Sequence, residues 1–289
     1  MEEQAARTAA ARGHRALEPL HSLVYFAREA ESAFVATGLE RGRMCYFASR
    51  AAPMGPVGPG AVAATFNVFN PDFIAEYLPR AWTLASPADI LAARVDAAGL
   101  ALRRLLGDDL AGSPAVTELA GLVREAAEAA PVEGRALFAA HADLPWPSDP
   151  LQSLWHGASL LREFRGDGHV AILLGHRLGG LAALVTHTAT GKGFTVDMAK
   201  KRRGWSDEQW SGAVADLTAG GVLDDAGALT EKGRAEREAI EAETDAVTAP
   251  PWQRIGIDKS ARIQELGSIL SKRVVAEGAY PPGLFATGR

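Results

Sequence analysis

One cysteine, Cys45, stands in 289 residues, so the chain has no internal disulfide and no multi-cysteine metal site. It lies in the apolar phrase Met44-Cys45-Tyr46-Phe47, the setting of a buried structural thiol. No apolar run approaches the roughly twenty residues of a membrane span. The opening MEEQAARTAAARGHR lacks a signal-peptide hydrophobic region, and a cytoplasmic protein with no membrane partner is expected. Positive charge is not in excess either. Lys and Arg number 30 against 35 Asp and Glu, a formal net charge of −5, which gives no global attraction to nucleic acid. Catalytic signatures are equally scarce: there is no HExxH, no serine nucleophile elbow and no P-loop. The glycines between Gly175 and Gly180 lack the spacing and the strand-helix setting of a dinucleotide site. No cofactor is assigned.

What is present reads as helix. The 47% apolar and 22% charged residues suit a globular chain with room for one large or two modest domains. Residues 1–15 read as a flexible arm, and a long amphipathic helix is expected from Leu17 through Glu31. The phrase AAPMGPVGPG forbids regular helix after Arg50. Further helices are expected at 61–69, at 72–81 behind Asn70-Pro71, after Ser86-Pro87, and at 116–129.

The most structured stretch is Phe194 to Asp245. A short helix with Val196, Met198 and Ala199 inward breaks at Gly204, and Ser206 caps a second helix. Trp210, Ala213, Val214 and Leu217 form that helix's inward stripe. Val222-Leu223 and Ala228-Leu229 flank Asp224-Asp225-Ala226-Gly227 as a hairpin wing, and Thr230 caps a third helix with Ala235, Ala239 and Ile240 inward. This order resembles a winged helix-turn-helix, and Leu229-Thr230-Glu231-Lys232-Gly233-Arg234-Ala235 resembles the wing-to-helix junction of MarR-type regulators. The whole chain also resembles an actinobacterial family of winged-helix-like proteins known simply as helix-turn-helix proteins, a likeness that implies a fold and no particular activity.

Glu18-Pro19-Leu20-His21-Ser22-Leu23 is echoed by Asp149-Pro150-Leu151-Gln152-Ser153-Leu154, and the apolar run after Gly38–Gly42 parallels the one after His176–Gly180. The expected fold is therefore mainly α, with two divergent winged-helix-like units forming an internal pseudo-dimer and a small β-wing in the second. The units are a degenerate one at 16–145 and a MarR-like one at 146–248, parted by the Pro-rich loop Leu144–Pro150. A tail at 249–289 carries an amphipathic helix with Ile263, Leu266, Ile269, Leu270 and Val274. That stripe must be buried against the first unit or against a second chain, so monomer and homodimer both stand.

Two functional readings follow. Lys200-Lys201-Arg202-Arg203 at the turn, with Gln209 as base reader, would serve a ligand-responsive transcription factor. The same cations are also what a helix C-terminus attracts. Asp207, Glu208 and the acidic wing tip would repel phosphates, so DNA binding is disfavoured. The favoured reading is a small, aromatic or amphipathic ligand held between the units. Candidate contacts are Arg50, Phe66, Asn67 and Phe69 from the first unit, and His156, Arg162, Arg165, His169 and His187 from the second. His169, Asp167 and His187 are the candidates for acid-base chemistry, although Arg165–Gly168 also reads as a plain helix end. No metal is assigned.

Overall fold

A computed structural model describes residues 1–284, which are mainly helical. In chain order the helices are α1 (Glu3–Ser22), α2 (Arg28–Ala36), α3 (Arg43–Ala51), α4 (Pro59–Phe66), α5 (Pro71–Ala75), α6 (Ala81–Leu84), α7 (Pro87–Leu106), α8 (Asp108–Ala111), α9 (Pro114–Glu128) and α10 (Ala136–Ala142). They are followed by α11 (Pro150–Gly175), α12 (Gly180–Ala189), α13 (Val196–Arg203), α14 (Asp207–Ala219), α15 (Glu231–Val247), α16 (Pro250–Ile255) and α17 (Ile257–Ala276). No single helix among the described residues is long and apolar enough to cross a membrane.

The first residues are not an arm. Ala6, Ala9, Ala10, Gly13, Ala16, Leu17 and Leu20 line one face of α1 and are buried. These small side chains let α17 lie close alongside, where Ser271 Oγ donates to the Ala16 carbonyl at 2.6 Å. The tail stripe is thus buried within the chain through Ile263, Leu266, Leu270 and Val274, while Ile269 faces solvent. The helix expected through Glu31 stops at Ser22, turns through the 3-10 segment Leu23–Tyr25, and resumes at Arg28.

Two apolar clusters form the interior. The larger draws on α1–α4, α7, α9, α10, α16, α17 and the first half of α11, with Phe47, Phe69, Phe138 and Trp155 among its fully buried rings. The smaller joins Leu173, Leu178, Leu184, Ala199, Trp210, Leu217, Leu223, Leu229 and Ile240. The clusters part along α11, whose Leu154 and Phe164 lie in one and Leu173 in the other. The Pro-rich loop at 144–150 does not separate them.

The helix-turn-helix forms where its caps place it. Thr195 caps α13 and Gly204 ends it in the left-handed region at φ 74°. A capping box starts α14: Ser206 Oγ accepts from the Gln209 amide at 3.1 Å, and Gln209 Oε1 accepts from the Ser206 amide at 3.0 Å. Ser206→Ala should cost about 1 kcal/mol, read as a lower urea midpoint at unchanged m-value. The inward faces differ from expectation in two places. In α13 Val196 is exposed and Ala199 alone is buried; in α15 Ala235 is exposed and the inward stripe is Gly233, Arg237, Ile240 and Thr244. The hairpin is a single antiparallel bridge, Leu223 to Leu229, without extended strands. Its tip is closed by Asp224, whose carboxylate accepts from the amides of Ala226 and Ala228 at 3.0 and 2.9 Å.

The turn of this motif is docked onto the first half of the chain. The Asn70 amide donates to the Arg203 carbonyl at 2.9 Å, and Asn70 Nδ2 to the Gly204 carbonyl at 2.9 Å. Trp205 Nε1 donates to the Val68 carbonyl at 2.9 Å. Phe73 presses on Gly204, where any side chain would collide with the ring. The α4–α5 turn therefore covers the α13–α14 turn.

Candidate functional site

Where the two clusters meet, a cavity of about 1760 Å³ opens between α1, α3, the end of α4, α11, α12, α13 and α15. It exceeds the usual ligand pocket of roughly 300–1,000 Å³. Eight of the nine expected contacts line it: Arg50, Phe66, Asn67, Phe69, Arg162, Arg165, His169 and His187. The ninth, His156, lies away from it, buried edge-on against Trp146 at 4.8 Å between ring centres. Burial holds its pKa down at about 4.

Charge distinguishes this cavity from the rest of the molecule. Its lining among the described residues carries ten arginines and Lys192 against five carboxylates, in a chain whose net charge is −5. Beneath it lies a buried ion network. Arg50 grips Glu163 through Nε at 3.0 Å and Nη2 at 2.8 Å, and Arg162 Nη1 reaches the same carboxylate at 2.7 Å. Burial alone would raise the Glu163 pKa, but Arg162 and Arg50 hold it well below the ordinary range. The α15 side is also balanced: Arg165 pairs with Asp245 at 2.7 Å and Glu241 at 3.2 Å, and Arg237 with Glu241 at 3.2 Å.

Aromatic rings supply the apolar surface. Arg50 lies over Phe66 at 4.1 Å and Arg203 over Phe69 at 4.3 Å. Tyr46 stands between, its ring centre 5.5 Å from that of Phe69 and its hydroxyl accepting from Arg50 Nη1 at 3.3 Å. Burial opposes ionisation of this phenol, yet Arg50, Arg203 and Arg162 together lower its pKa. Tyr46 Oη thus gives up a proton more readily than an ordinary phenol.

The expected Asp167–His169 pair does not form. The run Arg165–Gly168 is not a helix end; α11 continues through it to Gly175. Residues two apart on a helix point in different directions. Asp167 accepts from the Phe138 amide at 2.9 Å, whereas His169 Nδ1 meets Thr244 Oγ1 at 2.9 Å. Gly168 leaves room for Arg135 to reach the Phe164 carbonyl. Burial holds the His169 pKa at about 4 and lowers that of His187, so both imidazoles are neutral near pH 7. Among the described residues, no three His, Cys, Asp or Glu side chains gather as metal ligands.

The expected DNA contacts are partly drawn inward. Arg202 and Arg203 line the cavity, and Lys200 Nζ is paired with Asp207 at 2.6 Å. Gln209 caps its own helix and also accepts from Asn70 Nδ2 at 3.4 Å; Lys201 is exposed. Tyr46, Arg43, Arg237 and Glu163 were absent from the expected site. Arg237 alone left a local trace, standing at helical spacing between Gly233 and Ile240.

Residues 10–281 match the model of a helix-turn-helix family, and the chain belongs to that family. The match runs from α1 beyond α17, so it takes in both apolar clusters rather than the helix-turn-helix stretch alone. No curated protein and no solved structure matches the chain.

Proposed function

We propose that this protein binds a small organic anion with an apolar or aromatic part, in the cavity between its two helical clusters. The observation that carries the reading is the excess of arginine over carboxylate in that lining, set against a net negative chain. Arginine forks recognise carboxylate and phosphate geometry, and the neighbouring rings bury the rest of such a molecule. The scaffold is read as a duplicated, MarR-like winged helix. In support, helices begin at 43, 59, 71 and 87 in the first half and at 180, 196, 207 and 231 in the second, the last gap holding the short α6 in the first half and the hairpin in the second. The Pro19 and Pro150 echoes do not contribute, since Pro19 lies near the end of α1 and Pro150 opens α11.

A DNA-binding regulator is the second reading, and the family and the intact α13–turn–α14 motif favour it. Against it stand the occupied turn and the exposed Asp207 and Glu208 at the start of α14.

A thermal-shift panel of organic carboxylates, sulfonates and phosphates tests the first reading. A saturable rise in Tm is expected for some of them, equivalent to about 2.7 kcal/mol at a hundredfold excess over Kd. No rise across the panel would count against ligand binding. Mobility shift on genomic fragments at varied salt tests the second: sequence-selective retardation, lost on neutralising Lys200, Lys201, Arg202 and Arg203, would replace the first reading with the regulator.

A further inference from the structure

We infer that Arg43, Arg202 and Arg203 form the acid-binding subsite of this cavity, taking the carboxylate, sulfonate or phosphate of a ligand whose ring lies among Tyr46, Phe66 and Phe69. The inference rests on the cavity reading above and assigns the end at which the charged group sits.

The buried and half-buried arginines of the lining are compensated differently. Arg50 and Arg162 share Glu163, while Arg165 and Arg237 have Glu241 and Asp245. Arg43, Arg202 and Arg203 have no carboxylate within 4 Å among the described residues, yet all three line the cavity. They repel one another: Arg43 acts on both Arg202 and Arg203, and Arg50 and Arg162 add to the field at Arg203. Burial, with these cations, brings the Arg203 pKa down to about 10. The Nε atoms of Arg202 and Arg203 and the Nδ2 of Asn67 are buried without a protein acceptor, all on this side of the lining.

What holds the cluster together is weak. Arg203 sits over Phe69, and Arg202 lies 5.4 Å from the Phe26 ring centre. The last turn of α13 adds its carbonyl dipoles. Neither feature supplies an acceptor for the stranded N–H groups, whose burial without one is costly. An anionic group does so, and cancels the mutual repulsion at the same time. Its ring then meets aromatic faces already arranged edge to face, with Tyr46 and Phe66 centres 6.3 Å apart.

The test compares two fluorescent probes of similar shape on the full chain, the anionic 8-anilino-1-naphthalenesulfonate and the neutral N-phenyl-1-naphthylamine. The sulfonate should bind one to one and about tenfold or more tighter than the neutral amine. Arg203→Met and Arg43→Met should each cost the sulfonate about tenfold and leave the amine unchanged. Lys201→Met, which alters an exposed cation on the same helix, should change neither. Free of probe, Arg203→Met should melt higher than the parent, because it removes repulsion; an arginine kept for packing would melt lower.

Equal binding of both probes, with the sulfonate indifferent to Arg203→Met and Arg43→Met, overturns the subsite and leaves the cavity standing. Failure of both probes to bind overturns the cavity and the subsite together. If Arg203→Met does not fold, Arg43→Met decides the matter, and an unchanged sulfonate affinity in it sinks the assignment.

Discussion

Between pH 7 and pH 5, the buried histidines His141 and His156 each withdraw about 2 kcal/mol of folding stability, and His21 acts in the same sense. His21, His141 and His156 are at most 2% exposed, and burial lowers the pKa of each, to about 3 for His141 and about 4 for His156. The unfolded chain takes up a proton on each imidazole near pH 6.5, whereas the folded chain does not until far lower. A depressed folded pKa contributes stability that is complete above 6.5 and is lost as pH falls from there toward 3–4. Each histidine then costs about 1.4 kcal/mol per pH unit. Together they remove a large fraction of the stability of an ordinary domain. The neighbours reinforce the effect: Arg94 faces all three, and its guanidinium donates toward His141 Nε2 at 3.0 Å. Glu18 and Asp167, whose pKa values burial raises, work in the opposite sense and shallow the net slope. The contribution of one histidine is therefore read by difference. His156→Leu removes a titrating ring whose Nε2 has no partner, so it should leave stability near its parent value at pH 7. It should also flatten the pH dependence by about 1.4 kcal/mol per unit below 6.5. Urea midpoints from pH 7.5 to pH 5 check both, and parallel curves for the two proteins would refute the assignment.

The same burial explains what could and could not be read from the residues. The α13–α14 turn was legible because its determinants are local: Thr195, Gly204 and Ser206 act within a few positions of themselves. The cavity contacts were legible in kind, since arginines and histidines beside apolar runs mark a polar site. Their pairing was not, because Arg50 and Glu163 lie 113 residues apart and no periodicity links them. Two misreadings share one cause. The first fifteen residues read as a flexible arm, yet alanines are what a close helix-helix contact needs, and Ala6, Ala9 and Ala10 are buried. The run Arg165–Gly168 looked like a helix end, yet packing around Gly168 outweighs the roughly 1 kcal/mol that glycine costs a helix. In both places tertiary contact overrode local preference. The turn-to-turn dock follows the same rule: Asn70 Oδ1 caps α5 locally, while its Nδ2 serves a partner 134 residues away.

Glu163→Gln should destabilise the protein by about 3–5 kcal/mol and at the same time tighten its hold on anions. Glu163 is fully buried and is the common acceptor of Arg50 and Arg162. An amide keeps the shape but not the charge, and one of its two ends donates where an acceptor is needed. Two guanidinium groups then remain in the interior with a single, more distant carboxylate, Glu18, 3.9 Å from Arg162. That is the costly half of breaking a buried pair. Removing both partners with Arg50→Met and Glu163→Met should recover most of the loss, since well-packed apolar groups replace such pairs at little cost. The pH dependence carries its own signature. The folded pKa of Glu163 is depressed, so its stabilisation is present above about 4.5 and lost as pH falls through the lower folded value. Glu163→Gln should therefore lie well below the parent at pH 7, with the gap closing in strong acid. Affinity moves the other way: Arg50 and Arg162 line the cavity, and freeing them adds to its positive field. Weaker folding with stronger sulfonate binding in one variant separates a charge-tuned binding cavity from a merely structural ion pair, for which both quantities would fall together.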